Sequence, residues 1–248
     1  MTLHAVEFGP QDADLVVLVH GTMDRAGGMA RAARILAERH RVLIYDRRGY
    51  GRSKPHPGPY DMATQVDDLL TVMNGRAAVV AGHSFGGNIV LAAAARAPDV
   101  VRAVAVYETP LSWLPWWPAH PGGSKSMSAS DDPEQAAEDF MRRMVGDETW
   151  AALPSKTRAD RRAEGPALVG ELAALVSGAP YEPASIQVPA VVAHGTRGSD
   201  HHRVGIEWLA ATMPDAELMV IDGAAHGVHT ADPAAFAAIV ERATTLRP

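Results

Sequence analysis

The chain has 248 residues, 47% hydrophobic and 21% charged, which suits one globular domain with a real core and room for an inserted lobe. Its formal net charge of −6 gives no electrostatic footprint for nucleic acid or an anionic membrane. With no cysteine, disulfides, thiolate zinc sites and a cysteine nucleophile are excluded.

The N-terminus "MTLHAVEFGPQDADLVV" has no basic start, long apolar run or small-residue cleavage site, so no signal peptide is expected and the expected location is cytoplasmic. No stretch approaches the roughly 18 uninterrupted apolar residues that span a bilayer. Taken in order, strands are predicted at 3–8, 15–20 ("LVVLVH"), 41–46 ("RVLIYD"), 76–82 ("RAAVVAG"), 101–107 ("VRAVAVY"), 188–194 ("VPAVVAH") and 216–222 ("AELMVID"). Helices are predicted between them at 28–40, 62–74, 85–97, 203–213 and 233–245. Short, continuously apolar strands alternating with amphipathic helices predict an α/β fold, with a mostly parallel central sheet flanked by helices.

Residues 109–183 break the rhythm. They open with "TPLSWLPWWPAHPGGSKSMSASDD", too rich in Pro, Gly and Ser for regular structure. Helical patterns follow, with Leu168, Leu172 and Leu175 at helical spacing in "PALVGELAALV". The expected organisation is a core of residues 1–108 and 184–248, with 109–183 a helical insertion over the strand ends.

Gly82-His83-Ser84-Phe85-Gly86, within "VVAGHSFGGNIVLAAAA", matches G-x-S-x-G directly after a strand and directly before a helix, the context the motif requires. Ser84 is the candidate nucleophile, and the helix N-terminus directs partial positive charge at a developing oxyanion. "VLVHGTMD" ends the second strand and offers the backbone N–H of Thr22 as an oxyanion donor beside that of Phe85. "IDGAAHGVHTADPAAF" follows the last strand with two histidines. His226, nearer the strand end, is the expected general base, with His229 one turn further on.

These motifs, in this order and with "YDRRGYGRS" after the third strand, resemble the α/β-hydrolase superfamily over nearly the whole chain. The resemblance implies a serine–histidine–acid triad, a two-amide oxyanion hole and a helical lid, here residues 109–183. It implies no metal and no organic cofactor. The acid commonly follows the strand after the lid as G-x-x-D, but Gly195 plus three is Gly198. A minority of members, haloalkane dehalogenases among them, carry the acid just past the strand after the nucleophile helix, and there "VAVYETP" holds Glu108. Those dehalogenases use an aspartate nucleophile, so with Ser84 in that place their chemistry is not carried over. Glu108 is therefore the expected acid. Asp200, two residues beyond the usual place, is the alternative.

Trp113, Trp116 and Trp117 begin the insertion and either line an apolar substrate entrance or pin the lid to the core. Asp200, His201 and His202 are adjacent, and adjacent histidines do not easily share one ion, so no metal site is expected. Asp222 is expected to cap a turn. The expected function is a serine hydrolase that cleaves a small to medium, apolar carboxylic ester or related acyl compound through an acyl-enzyme. Its expected partner is a small-molecule substrate, with no nucleic acid and no membrane; the oligomeric state is left open. Lactone or carbon–carbon bond hydrolysis and perhydrolysis use the same triad, and a binding module of little or no turnover uses the same pocket.

Overall fold

Seven short apolar strands lie side by side in one sheet: β1 (Ala5–Phe8), β2 (Leu15–Val19), β3 (Arg41–Tyr45), β4 (Ala78–His83), β5 (Val101–Tyr107), β6 (Ala190–Gly195) and β7 (Ala216–Ile221). The computed structural model describes residues 2–119, 127 and 129–246. The strand order is β1-β3-β2-β4-β5-β6-β7, and only β1, paired with β3, is antiparallel. From β2 the chain steps outward to β3, then crosses back to β4 and continues the other way. The carboxyl ends of β2 and β4 therefore flank the topological switch point, where such sheets leave a crevice for ligands.

Side chains alternate across each strand, so the sheet buries two apolar layers. Leu15, Val17 and Val19 face the helices α2 (Met62–Met73) and α3 (Phe85–Arg96), with α8 (Asp200–Thr212) in the same layer. Val16 and Leu18 face α1 (Ala26–Leu36) and α10 (Pro233–Thr245). A short helix, α9 (Val228–Ala231), precedes α10. Element ends differ from the sequence expectation by up to four residues. The difference with a consequence is α8, which begins at Asp200 rather than 203. Among the described residues no helix is long and apolar enough to cross a membrane.

Between β5 and β6 the described residues hold no strand but four helices: α4 (Pro133–Val145), α5 (Asp147–Ala152), α6 (Ser155–Arg162) and α7 (Gly165–Ser177). Residues 120–126 and 128, in the Pro-, Gly- and Ser-rich opening of this segment, lie outside the described residues. Asp132 starts α4 by accepting a hydrogen bond from the Gln135 amide, with Pro133 in the first turn where its missing N–H costs nothing. Ala136, Ala137, Met141, Trp150, Leu168 and Leu172 form a small core of their own, and Met23 and Tyr50 from the loops after β2 and β3 complete it.

Two buried carboxylates tie this segment to the sheet loops. Glu164, with no exposed surface, accepts from Arg25 Nη2 (2.8 Å), the Gly51 amide (3.1 Å) and Arg161 Nη1 (3.2 Å). Glu171 on α7 pairs with Arg47 at 2.7 Å. Removing one partner of such a pair costs about 3–5 kcal/mol, because the other charge is left buried. The four helices are thus anchored where the loops after β2 and β3 pass.

Candidate active site

Ser84 sits between the last residue of β4 and the first of α3 with φ 53° and ψ −124°, a conformation costing about 1–3 kcal/mol for a residue with a side chain. The turn is this tight because strand and helix cross almost in contact. A Cβ on Gly82 would run into the Gly86 carbonyl, and one on Gly86 into the Val19 carbonyl. The Ser84 amide is held by the Tyr107 carbonyl at the end of β5 (2.9 Å). Phe85 opens α3, so its N–H belongs to the helix's unpaired first turn. The loop after β2 passes alongside, and a Cβ on Gly21 would lie 3.0 Å from that of Ser84. This brings Ser84, Phe85 and the half-buried Thr22 into one corner of the crevice.

His226 Nδ1 lies 2.8 Å from Glu108 Oε2, so the expected base and the expected acid are joined. Glu108 is completely buried, and its other oxygen accepts from the Gly195 amide at 3.1 Å. It stands immediately after β5 with φ 45°, a left-handed conformation uncommon for a residue with a side chain. The glycine at the usual acid position now has a physical reason: a Cβ on Gly198 would collide with Glu108 Oε1. The carboxylate reaches that space from β5, and the loop after β6 is emptied to admit it. Asp200, the alternative acid, is not brought to His226. Its side chain is 97% exposed in the first turn of α8, where a negative charge suits the helix N-terminus.

The histidines around this pair were not legible in the sequence as a group. His83, the variable residue before Ser84, places Nε2 2.7 Å from the His226 carbonyl and so fixes the loop that carries His226. Its ring lies 4.8 Å from that of His226 and 4.0 Å from that of His229. His202 stacks on the His226 ring (4.6 Å, 9° between planes), with Nδ1 3.6 Å from Glu108 Oε2. His229 is bonded not to Glu108 but to Asp24 Oδ2, at 3.0 Å. Burial of Asp24, the largest single influence, raises its pKa, yet the hydrogen bond from His229, the charges of His20 and His229 and the Arg25 amide together outweigh it and hold the carboxyl below the usual range.

Burial, then the charges of His229 and His226, hold His83 well below the ordinary imidazole range. Burial, then His226 and His201, do the same to His202, and burial followed by Arg47 brings His20 down to about 3. In each case the unfolded chain binds the proton that the folded chain refuses. Stability is therefore full above about pH 6.5 and falls as the pH drops towards each folded value, by up to about 1.4 kcal/mol per pH unit per group. The urea midpoint is expected to fall steadily from about pH 7.5 to about pH 5.5. A flat midpoint across that range would show that these imidazoles are not held neutral.

Of the three tryptophans, Trp117 meets this cluster, edge-on to His201 (4.8 Å) and His202 (5.5 Å). Trp113 packs on the sheet core and against Tyr181 (5.6 Å), while Trp116 is 42% exposed. Asp222 accepts from the Thr196 hydroxyl (3.1 Å) in the turn after β7. A separate charged cleft of about 540 Å³ between α4, α5 and α6, with Arg142, Trp150 and Arg162 in its wall, shares no residue with the site. Arg142 and Arg162 both pair with Glu138 at its edge.

Glu108, His202 and His226 offer three ligand atoms within 4.8 Å of one another. The two imidazole planes are nearly parallel, however, and each nitrogen lone pair lies in its own ring plane. An ion in the plane of one ring lies well outside that of the other, so this arrangement does not fit a metal.

Residues 16–239 match the family model described as the alpha/beta hydrolase family. Pimeloyl-[acyl-carrier protein] methyl ester esterase from Chromobacterium violaceum is 34% identical over 225 residues, covering 85% of this chain and 86% of that one. A bifunctional esterase/perhydrolase from Acinetobacter calcoaceticus is 34% identical over 110 residues, 42% of this chain and 40% of its own length. The crystal structure of the enol-lactonase from Burkholderia xenovorans superposes with a TM-score of 0.77 at 24% identity, covering 98% and 96% of the two chains, a likeness of fold. The protein is a hydrolase with a seven-stranded, mostly parallel sheet flanked by helices. It belongs to the alpha/beta hydrolase family.

Proposed function

We propose that the protein is a serine hydrolase that cleaves a small to medium, apolar carboxylic ester or related acyl compound through an acyl-enzyme. The observation that carries this reading is the hydrogen bond from His226 to the buried Glu108, on a loop held by His83 next to a serine in a strained strand-to-helix turn. Glu108 fixes the tautomer of His226 with Nδ1 protonated, which leaves Nε2 as the base. Ser84 Oγ attacks the ester carbonyl while His226 takes its proton. The Thr22 and Phe85 amides hold the resulting oxyanion. Collapse of the tetrahedral species expels the alcohol, protonated by His226, and leaves an acyl group on Ser84. Water, deprotonated by His226, then releases the acid and restores the serine.

The methyl ester esterase, matched over 85% of this chain, supports an ester substrate. We further propose that residues 109–183 act as a cap over the site. The anchoring of Glu164 and Glu171 to the loops after β2 and β3, and the contact of Trp117 with the histidine cluster, support this. A binding module without turnover would have no need of a serine in a strained turn together with a histidine hydrogen-bonded to a buried acid.

The test is to treat the protein with a fluorophosphonate, map the adduct by peptide mass spectrometry, and assay p-nitrophenyl esters of graded chain length. The expected result is a single adduct on Ser84, with loss of ester turnover in step with labelling. Labelling elsewhere, or full turnover by a labelled protein, would overturn the assignment.

A further inference from the structure

Behind the loop that carries Thr22 lies a buried cation for which the proposed reaction has no direct use. Arg47, 1% exposed, sends Nε to the His20 carbonyl (3.0 Å) and Nη2 to the Gly21 carbonyl (2.9 Å). Its Nη1 donates to Gln65 Oε1 (2.5 Å) and to Glu171 Oε2 (2.7 Å). Glu171, also 1% exposed, comes from α7 in the inserted segment, and its other oxygen accepts from the Tyr50 hydroxyl (2.7 Å). The guanidinium carbon lies 4.9 Å from the ring centre of Phe85, the residue after the nucleophile.

His20 completes the arrangement. The Arg47 backbone N–H donates to His20 Nε2 (3.0 Å), so that nitrogen is an acceptor and the neutral ring carries its proton on Nδ1. Nδ1 then donates to the Gly21 carbonyl at 2.8 Å. That oxygen accepts from His20, from the charged Arg47 and, at 3.4 Å, from the Asp24 amide of the turn. The Gly21 carbonyl and the Thr22 N–H are the two ends of one planar peptide. Donors fixed on the oxygen set the plane of that peptide. They also draw electron density toward the oxygen, which strengthens the N–H at the other end as a donor, on the order of 10–30% per bond.

We propose that Arg47, held by Glu171 from the inserted segment, is a positioning residue for the reaction: with His20 it orients and polarises the Gly21–Thr22 peptide, making Thr22 N–H a stronger oxyanion donor. The inference rests on the reading of Ser84 as nucleophile and Thr22 as oxyanion donor. It gives the inserted helix α7 a part in the chemistry beyond covering the site. A purely structural strut needs no charge here, because a buried ion pair can often be replaced by well-packed apolar side chains without loss of stability.

That difference supplies the experiment. Arg47→Lys keeps a cation beside Glu171 but loses the fork that reaches both loop carbonyls. The double variant Arg47→Met/Glu171→Met removes both charges and refills the volume. For each, kcat and KM on a p-nitrophenyl ester, the melting temperature and the inhibition constant of a boronic acid that mimics the tetrahedral species are measured. Charge on the oxyanion develops only in the transition state. The expected result is therefore a kcat lowered about tenfold or more, KM within about threefold, and boronate affinity weakened in step with kcat. A variant that melts near the wild-type temperature and keeps wild-type kcat overturns the inference. So does a loss of kcat confined to variants whose melting temperature collapses, which would make Arg47 a strut only. Ser84→Ala separates the two levels. If it retains turnover, the ester-hydrolase reading fails and takes this inference with it. If it is inactive while the Arg47 variants are normal, only the inference fails.

Discussion

Replacing His226 with alanine is expected to lower ester turnover by at least about 10³-fold, because triad members act as a unit and loss of one removes nearly all that they supply together. His229→Ala is expected to leave kcat within about threefold of wild type. The contrast follows from the partners. Of the two, it is His226 that bonds Glu108, through Nδ1 at 2.8 Å, and its side chain is 24% exposed, open to a substrate. His229 is 8% exposed, bonds Asp24 and packs 4.0 Å from the His83 ring, so its removal strikes stability instead. Asp24 would be left without its imidazole partner, and the melting temperature of His229→Ala should fall while its chemistry persists. Steady-state kinetics and a thermal melt on both variants decide the matter. Slow turnover by His229→Ala with near-normal turnover by His226→Ala would put the base one turn further along the loop.

What could be seen in the sequence follows the range of the forces involved. The elbow was legible because strand, turn and helix are consecutive in the chain, and Gly82 is needed where its own strand and helix nearly touch, although Gly86 answers to the Val19 carbonyl on β2. The inner strands β2, β4, β5 and β6 were legible because a sheet covered on both faces demands unbroken apolar runs, whereas β1 and β7 bury no residue fully. The placing of Glu108 beside His226 was legible from position, since Glu108 is a carboxylate at a strand end opposite a loop that lacks one. The reason the loop lacks an acid was not, since the clash between Gly198 and Glu108 Oε1 joins residues that follow different strands. The stacking of His202 on His226 was hidden for the same cause: nothing local in "DHH" points to it, and stacking is a tertiary fact. Arg47 and Glu171, 124 residues apart, carry no local signature. "GSDHHRV" shows little apolar periodicity, so the sequence predicts the start of α8 three residues late and does not reveal that Asp200 belongs to a helix's first turn.

Glu108→Gln is expected to lower kcat about 10⁴-fold with the fold intact, and Asp200→Asn to leave it unchanged. Glu108 performs two acceptances at once, Oε2 toward His226 Nδ1 and Oε1 from the Gly195 amide. A glutamine has one carbonyl oxygen and one amide nitrogen. If the oxygen stays with Gly195, the NH₂ faces His226, and the ring must turn its proton to Nε2, where it can no longer accept from Ser84. If the oxygen turns to His226, the NH₂ faces the Gly195 N–H, and two donors meet in a buried place. Either arrangement breaks a contact on which the base depends. Asp200, 97% exposed and 3.8 Å from Arg203, touches none of this. The shared space between Glu108 and Gly198 allows a sharper test. Gly198→Asp alone should be damaging, because its side chain competes with Oε1 for one position. Combined with Glu108→Ala, the same aspartate enters the vacated space from the loop after β6 and should return at least about tenfold of the turnover lost in Glu108→Ala. The kcat values of the five variants, with circular dichroism to check the fold, report the outcome. Near-normal turnover by Glu108→Gln together with collapse of Asp200→Asn would assign the acid to α8. A double variant no faster than Glu108→Ala would mean that the two loops do not deliver a carboxylate to the same point beside His226.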